Sequence, residues 1–150
     1  MKIGNPKPEF TQFKKEVLSS TSIKKRVLVF SPDADLAKVL LLNLEDKFYI
    51  VREHCLERFE EAIRDLAPDL VLIDLYTFSE NIIKQLDIIK RSAATVPVIA
   101  LRAYMPLTPE MNKSIEELAD VLFYKPVDVE LVTQAIEDLL KQKNNRPIAE

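Results

Sequence analysis

The chain has 150 residues, 47% of them apolar and 30% charged, with a formal net charge of −3. That length suits one domain able to bury its own core, and the balance is that of an ordinary soluble globular protein. The charge gives no electrostatic footprint for nucleic acid, the lone Cys55 excludes an internal disulfide and fits a reducing compartment, and no apolar run approaches the ~20 residues of a membrane helix. Met1 to Phe10 carries charges and prolines without an apolar segment, so no signal peptide is expected and the cytoplasm is the default location. Gly4 is the only glycine, whereas loops that cradle phosphate with backbone N–H groups need several. A flavin or dinucleotide site is therefore not expected.

Residues 1–22 read as an N-terminal extension. Pro6 and Pro8 precede a short helical pattern with Phe10, Phe13 and Val17 on one face, which suits docking on the domain or a partner, or else a partly ordered leader. From Lys25 the pattern alternates. Val27-Leu28-Val29-Phe30 is a continuous apolar run, the mark of a strand covered on both faces. Ser31-Pro32-Asp33 then leads into a helix from about Ala34 to Glu45, with Ser31 or Asp33 as its cap. Phe48–Arg52 is a second strand and Leu56–Leu66 a second helix, broken by Pro68. Leu70–Asp74 is the third strand. Ser79 opens a helix whose Ile82, Ile83, Leu86 and Ile89 form one apolar face. Val96–Leu101 is the fourth strand, and Thr108-Pro109 starts a helix with Met111, Ile115 and Leu118 facing inward. Val121–Tyr124 is the fifth strand, and Asp128 caps a last helix carrying Val132, Ile136 and Leu139. The domain is expected over 23–143, with 144–150 as a tail.

Five apolar runs alternating with five helical patterns predict an α/β fold, a parallel sheet between two layers of helices with right-handed crossovers. In such a sheet the carboxyl ends of the first, third, fourth and fifth strands converge, which brings Ser31, Asp74, Arg102 and Lys125 to one edge.

The stretches Val27 to Asp33, Pro68-Asp69-Leu70-Val71-Leu72-Ile73-Asp74-Leu75, Val96 to Leu101 and Leu122-Phe123-Tyr124-Lys125-Pro126 together resemble the receiver domain of two-component response regulators. The resemblance covers about Lys25 to Lys141. It implies a flavodoxin-like, doubly wound five-stranded sheet in the order 2-1-3-4-5 with five flanking helices. It also implies a third-strand aspartate that takes a phosphoryl group from a histidine kinase, a lysine that contacts that group, an acidic pair that holds Mg²⁺, and a cis bond before Pro126. Asp74 matches the phosphoacceptor and Lys125 the lysine. The acidic pair falls on Ser31 and Pro32, with Asp33 one residue further; the usual Ser/Thr position is Arg102, and the aromatic switch position is Leu122. Phe78 stands where a loop proline is usual, and Ile82 near a usual glycine.

These departures predict no metal site and no cofactor, Mg²⁺ being held only if the site is less degenerate than it looks. Arg102 either pairs with Asp74 or meets phosphoryl oxygens in place of the metal, and a compact Asp74–Arg102–Lys125 cluster is the preferred expectation. The resulting reading is a stand-alone, divergent receiver module that is not an enzyme and acts through a signalling protein partner or as a homodimer. The alternative is a conventional receiver phosphorylated on Asp74 by a histidine kinase. His54, the only histidine, reads as a strand-end surface residue and Cys55 as a small partly buried side chain. Tyr104 and Tyr124 are expected to pack against neighbouring helices rather than form a partner surface. Val39, Leu40, Leu41, Leu42 and Leu44 spread over more than one helix face, so the excess either packs under other elements or marks a partner surface.

Overall fold

The computed structural model describes residues 24–76 and 79–145. The expected helix around Phe10, Phe13 and Val17 and the substitution at Phe78 lie outside them. Strands β1 (Arg26–Phe30), β2 (Tyr49–Glu53), β3 (Leu70–Asp74), β4 (Val98–Arg102) and β5 (Val121–Tyr124) form one parallel sheet in the order β2-β1-β3-β4-β5. Five α-helices alternate with them: α1 (Ala34–Leu44), α2 (Phe59–Leu66), α3 (Ser79–Ser92), α4 (Pro109–Leu118) and α5 (Val129–Asn145). The doubly wound expectation is met, and α5 runs two residues past the expected domain end at 143.

The period of two along each strand divides the core. Val27, Val29, Leu70, Leu72, Ile99 and Leu101 point to the side covered by Leu40 and Leu44 of α1 and Val132, Ile136 and Leu140 of α5. Leu28, Phe30, Val71, Ile73 and Ala100 point to the other side, under α2, α3 and α4. β3 is buried at every residue, as a central strand covered on both faces must be.

Caps explain where three helices begin. Asp33, not Ser31, accepts from the Asp35 and Leu36 N–H groups at 3.0 and 3.1 Å. Thr108 accepts from Met111 at 3.1 Å ahead of Pro109, and Asp128 accepts from Glu130 at 3.0 Å. The segment expected as one helix from Leu56 starts as a 3₁₀ turn, Leu56–Arg58, and becomes α-helical at Phe59. α2 ends on Ala67 with φ of 50°, a left-handed cap that a chain so poor in glycine fills with alanine. Relative to glycine that conformation costs about 1 kcal/mol.

Two facing assignments change, on α3 and α5, and the open one on α1 divides. Ile83 is half exposed, because α3 turns only Ile82, Leu86 and Ile89 inward. On α5, Leu140 rather than Leu139 is fully buried. On α1, Leu40 and Leu44 are buried and Leu41 packs beside them, while Val39 and Leu42 stay open, Leu42 at 61% exposure.

Candidate functional site

The carboxyl edge of the sheet gathers the expected residues, but not in the expected arrangement. Asp74 ends β3 with 1% of its surface exposed. Its Oδ2 accepts from the Ser31 hydroxyl at 2.8 Å, and the Lys125 ammonium stands 2.7 Å from its Oδ1. That approach lies outside hydrogen-bonding angles, so Oδ1 has charge compensation without an aligned donor. Lys125 reaches Asp74 from the end of β5, two strands away, and is followed by a cis bond to Pro126.

Ser31 is itself held on every side. Its N–H donates to the Glu53 carbonyl at 3.0 Å, its carbonyl accepts from Arg52 Nη2 at 2.9 Å, and its hydroxyl accepts from the Asp33 N–H at 3.1 Å. The hydroxyl donates to Asp74 over the shorter distance, 2.8 Å against 3.3 Å to the Asp33 carbonyl, and the serine serves as a short neutral donor where two strands meet.

Arg102 does not join this group, which corrects the expected three-membered cluster. β4 pairs Leu101 with Asp74, so Arg102 lies one residue beyond it, opposite Tyr124. Its guanidinium turns the other way: Nη1 donates to Asn112 Oδ1 at 2.9 Å and Nη2 to the Met105 carbonyl at 3.0 Å. It also lies 5.4 Å from the centre of the Tyr124 ring. The planar fork finds separate acceptors in the following loop and on α4, which the single carboxylate of Asp74, already engaged, cannot match. Leu122, at the switch position, is half-buried against the core and offers no polar group.

Two features escaped the sequence reading. Gln85 of α3 is fully buried; its Nε2 donates to the Asp74 carbonyl at 3.1 Å and its Oε1 accepts from the Tyr76 N–H at 2.9 Å. The amide thus bridges the backbone on both sides of Leu75 and fastens the exit of β3 to α3. The only available signal was a glutamine between Ile82 and Ile89, near the apolar face. The second feature is a stacked pair, Tyr104 on Tyr124, with ring centres 4.5 Å apart and planes 18° from parallel. Tyr104 is 82% exposed, so these rings pack on each other and not under helices.

Tyr76, just past the site, has its phenol pKa raised above the ordinary 10.0, by burial first and then by electrostatic interaction with its neighbours, Glu57 foremost. Cys55 is partly buried and lies with its thiol 3.0 Å from Glu57, whose carboxyl this contact holds below its usual value. His54 is exposed at the end of β2.

Mg²⁺ takes oxygen ligands in near-octahedral geometry, usually one or two carboxylates with water. Among the described residues the only buried carboxylate, Asp74, has a lysine ammonium on one oxygen and a hydroxyl on the other. Pro32 supplies no side-chain ligand, and Asp33 spends Oδ1 on the α1 cap. Among the described residues no three acidic, histidine or cysteine side chains gather as a metal site. The donor set does not fit the ion.

No protein-family model and no curated protein matches the sequence. Solved structures do match. A CheY-like response regulator receiver domain from Methanospirillum hungatei is similar with a TM-score of 0.70 and 18% identity, covering 81% of this chain and 98% of that one. The fold is that of a receiver domain. A Francisella response regulator receiver domain (TM-score 0.67, 20% identity) covers 79% of this chain and 98% of its own, and a Clostridium difficile two-component response regulator (TM-score 0.67, 17% identity) covers 81% and 100%. Such identities establish the receiver fold and leave the chemistry to the residues at the sheet edge. No helix among the described residues is long and apolar enough to cross a membrane.

Proposed function

We propose that the chain is a divergent receiver domain of two-component or phosphorelay signalling, acting as a protein-interaction module in which Mg²⁺-dependent phosphorylation of Asp74 is impaired. The observation that carries this reading is the state of Asp74: 1% exposed, with Ser31 on one oxygen and Lys125 on the other. A phosphodonor would have to displace the hydroxyl and bring further negative charge beside the carboxylate with one ammonium as counter-charge. Each uncompensated pair of like charges at 4 Å costs about 4 kcal/mol at an effective dielectric near 20. That corresponds to roughly a thousandfold in rate. The fold's output is then carried by contacts with a signalling protein rather than by turnover.

One observation favours the second reading, a conventional receiver phosphorylated on Asp74 by a histidine kinase: the Lys125 ammonium already stands at the carboxylate, where it would meet a phosphoryl oxygen. Incubation with Mg²⁺ and either a small phosphodonor or beryllofluoride separates the two. The interaction-module reading expects no saturable adduct. An acyl phosphate or fluoride adduct that Asp74→Asn abolishes would replace it with the phosphoacceptor reading. Ser31→Asp combined with Pro32→Asp is expected to create Mg²⁺ binding that the parent lacks, read by a metal titration.

A further inference from the structure

Helix α1 turns two apolar side chains outward. Val39 is 43% and Leu42 61% exposed, three residues apart and so on one face, opposite the side where Leu40 and Leu44 pack on the sheet. Asp35 lies one turn before Val39 on that face, and Glu45 and Asp46 follow at the helix end, all three exposed. Lys38 is the single base in α1, and none stands in its last turn, where the helix carbonyls carry partial negative charge. The stripe therefore suits a ligand that is apolar along its middle and basic around it.

The chain enters the domain at the same place. The Lys24 ammonium donates to the Glu45 carbonyl at 3.2 Å, at the end of α1, and the Tyr49 N–H donates to the Lys25 carbonyl at 2.9 Å. Residues 1–22 thus lead into the fold beside the open stripe. Their sequence pattern puts Phe10, Phe13 and Val17 on one helical face with Lys14 among them, and four lysines against two glutamates give a net +2. Six residues lie between Val17 and Lys24 and span up to roughly 20 Å when extended. The 11 residues of α1 cover about 16 Å, so the segment reaches every turn of the helix.

We propose that the N-terminal extension docks on α1 of its own chain, laying Phe10, Phe13 and Val17 over Val39 and Leu42 while its lysines meet Asp35, Glu45 and Asp46. Two open side chains fall far short of the roughly 800 Å² per partner that a stable interface between separate proteins buries. A tethered segment needs less, because a short link holds it at an effective concentration on the order of millimolar. The dependence runs both ways. A helix as short as residues 10–17 is marginal in water by itself, so the α1 stripe supplies the packing that orders it. Docking of the extension is independent of what happens at Asp74.

NMR of the isotopically labelled full chain tests it. Nuclear Overhauser contacts from the Phe10 and Phe13 rings to the Val39 and Leu42 methyl groups are expected at every chain concentration. Amides of residues 10–17 should exchange about tenfold more slowly than in a synthetic peptide of residues 1–22, the scale of burying one such side chain. Phe13→Ser and Leu42→Ser should each abolish the contacts and return exchange to the peptide's rate. Leu42 is 61% exposed, so its replacement is expected to leave the sheet resonances in place. Ile83→Ser, which removes a half-exposed apolar side chain from α3, should change neither readout. Contacts that survive Leu42→Ser, or equal loss in Ile83→Ser, overturn the proposal. Exchange as fast as in the peptide also overturns it and leaves the stripe to a partner protein. Contacts found only between differently labelled copies in a mixed sample overturn it in favour of a second copy as the occupant.

Discussion

Asp74 and Arg102 are buried at the same edge of the sheet, on adjacent strands, and are satisfied in opposite ways. Asp74 has a full opposite charge at 2.7 Å and one hydroxyl. Arg102, 5% exposed, has carbonyl and amide oxygens and an aromatic ring, with no carboxylate partner among the described residues. The carboxylate ends a short side chain at a fixed strand position and must be met where it is. The guanidinium rides a long stem and goes where several acceptors match its fork. Convergence of strand ends therefore brought the residues to one place without determining which of them pair.

Breaking the charged pair should have the largest effect. Lys125→Met leaves Asp74 buried with Ser31 alone and is expected to destabilise the fold by about 3 kcal/mol in urea unfolding at neutral pH. Adding Asp74→Asn should recover most of that loss. Next is Gln85→Leu, which leaves the Tyr76 N–H and Asp74 carbonyl without their side-chain partner, a loss of about 2 kcal/mol. Arg102→Met should cost less, about 1 kcal/mol, because the lost hydrogen bonds are offset by removing a buried cation that has no opposite charge. Its clearer mark is faster amide exchange across residues 103–108. If Arg102→Met destabilised as much as Lys125→Met, the contrast between the two charges would be wrong.

The smallest expected effect is a pH dependence. The raised pKa of Tyr76 means the folded state holds its proton more tightly than the unfolded state. Its contribution is fully present below the ordinary 10.0 and is lost as pH rises through the folded value. Tyr76→Phe should flatten the alkaline limb of a stability profile, and an unchanged limb would assign it to other groups.

The sheet was legible because its signals are local. Four- and five-residue apolar runs, Thr108-Pro109, Pro68 and the Asp33 and Asp128 caps each punctuate the chain by short-range physics. Asp74, Ser31 and Lys125 were placed together by topology alone. Arg102 was misread because its choice of partner depends on Asn112 and on the loop carbonyl of Met105, neither of which a linear pattern shows. Gln85 was missed for a related reason: a glutamine near an apolar helix face looks like a surface residue until a neighbouring backbone needs both its donor and its acceptor. Ile83 was counted inward because four apolar residues on α3 looked like one stripe, whereas the packed stripe is narrower.

The central claim is that Asp74 is neutralised within the protein by Lys125 and Ser31, without a metal ion. A Mg²⁺ titration followed at the ¹³C carboxyl resonance of Asp74 tests it most directly. No saturable shift of that resonance is predicted. A saturable shift that disappears in Asp74→Asn, with matching changes at Ser31, would contradict it.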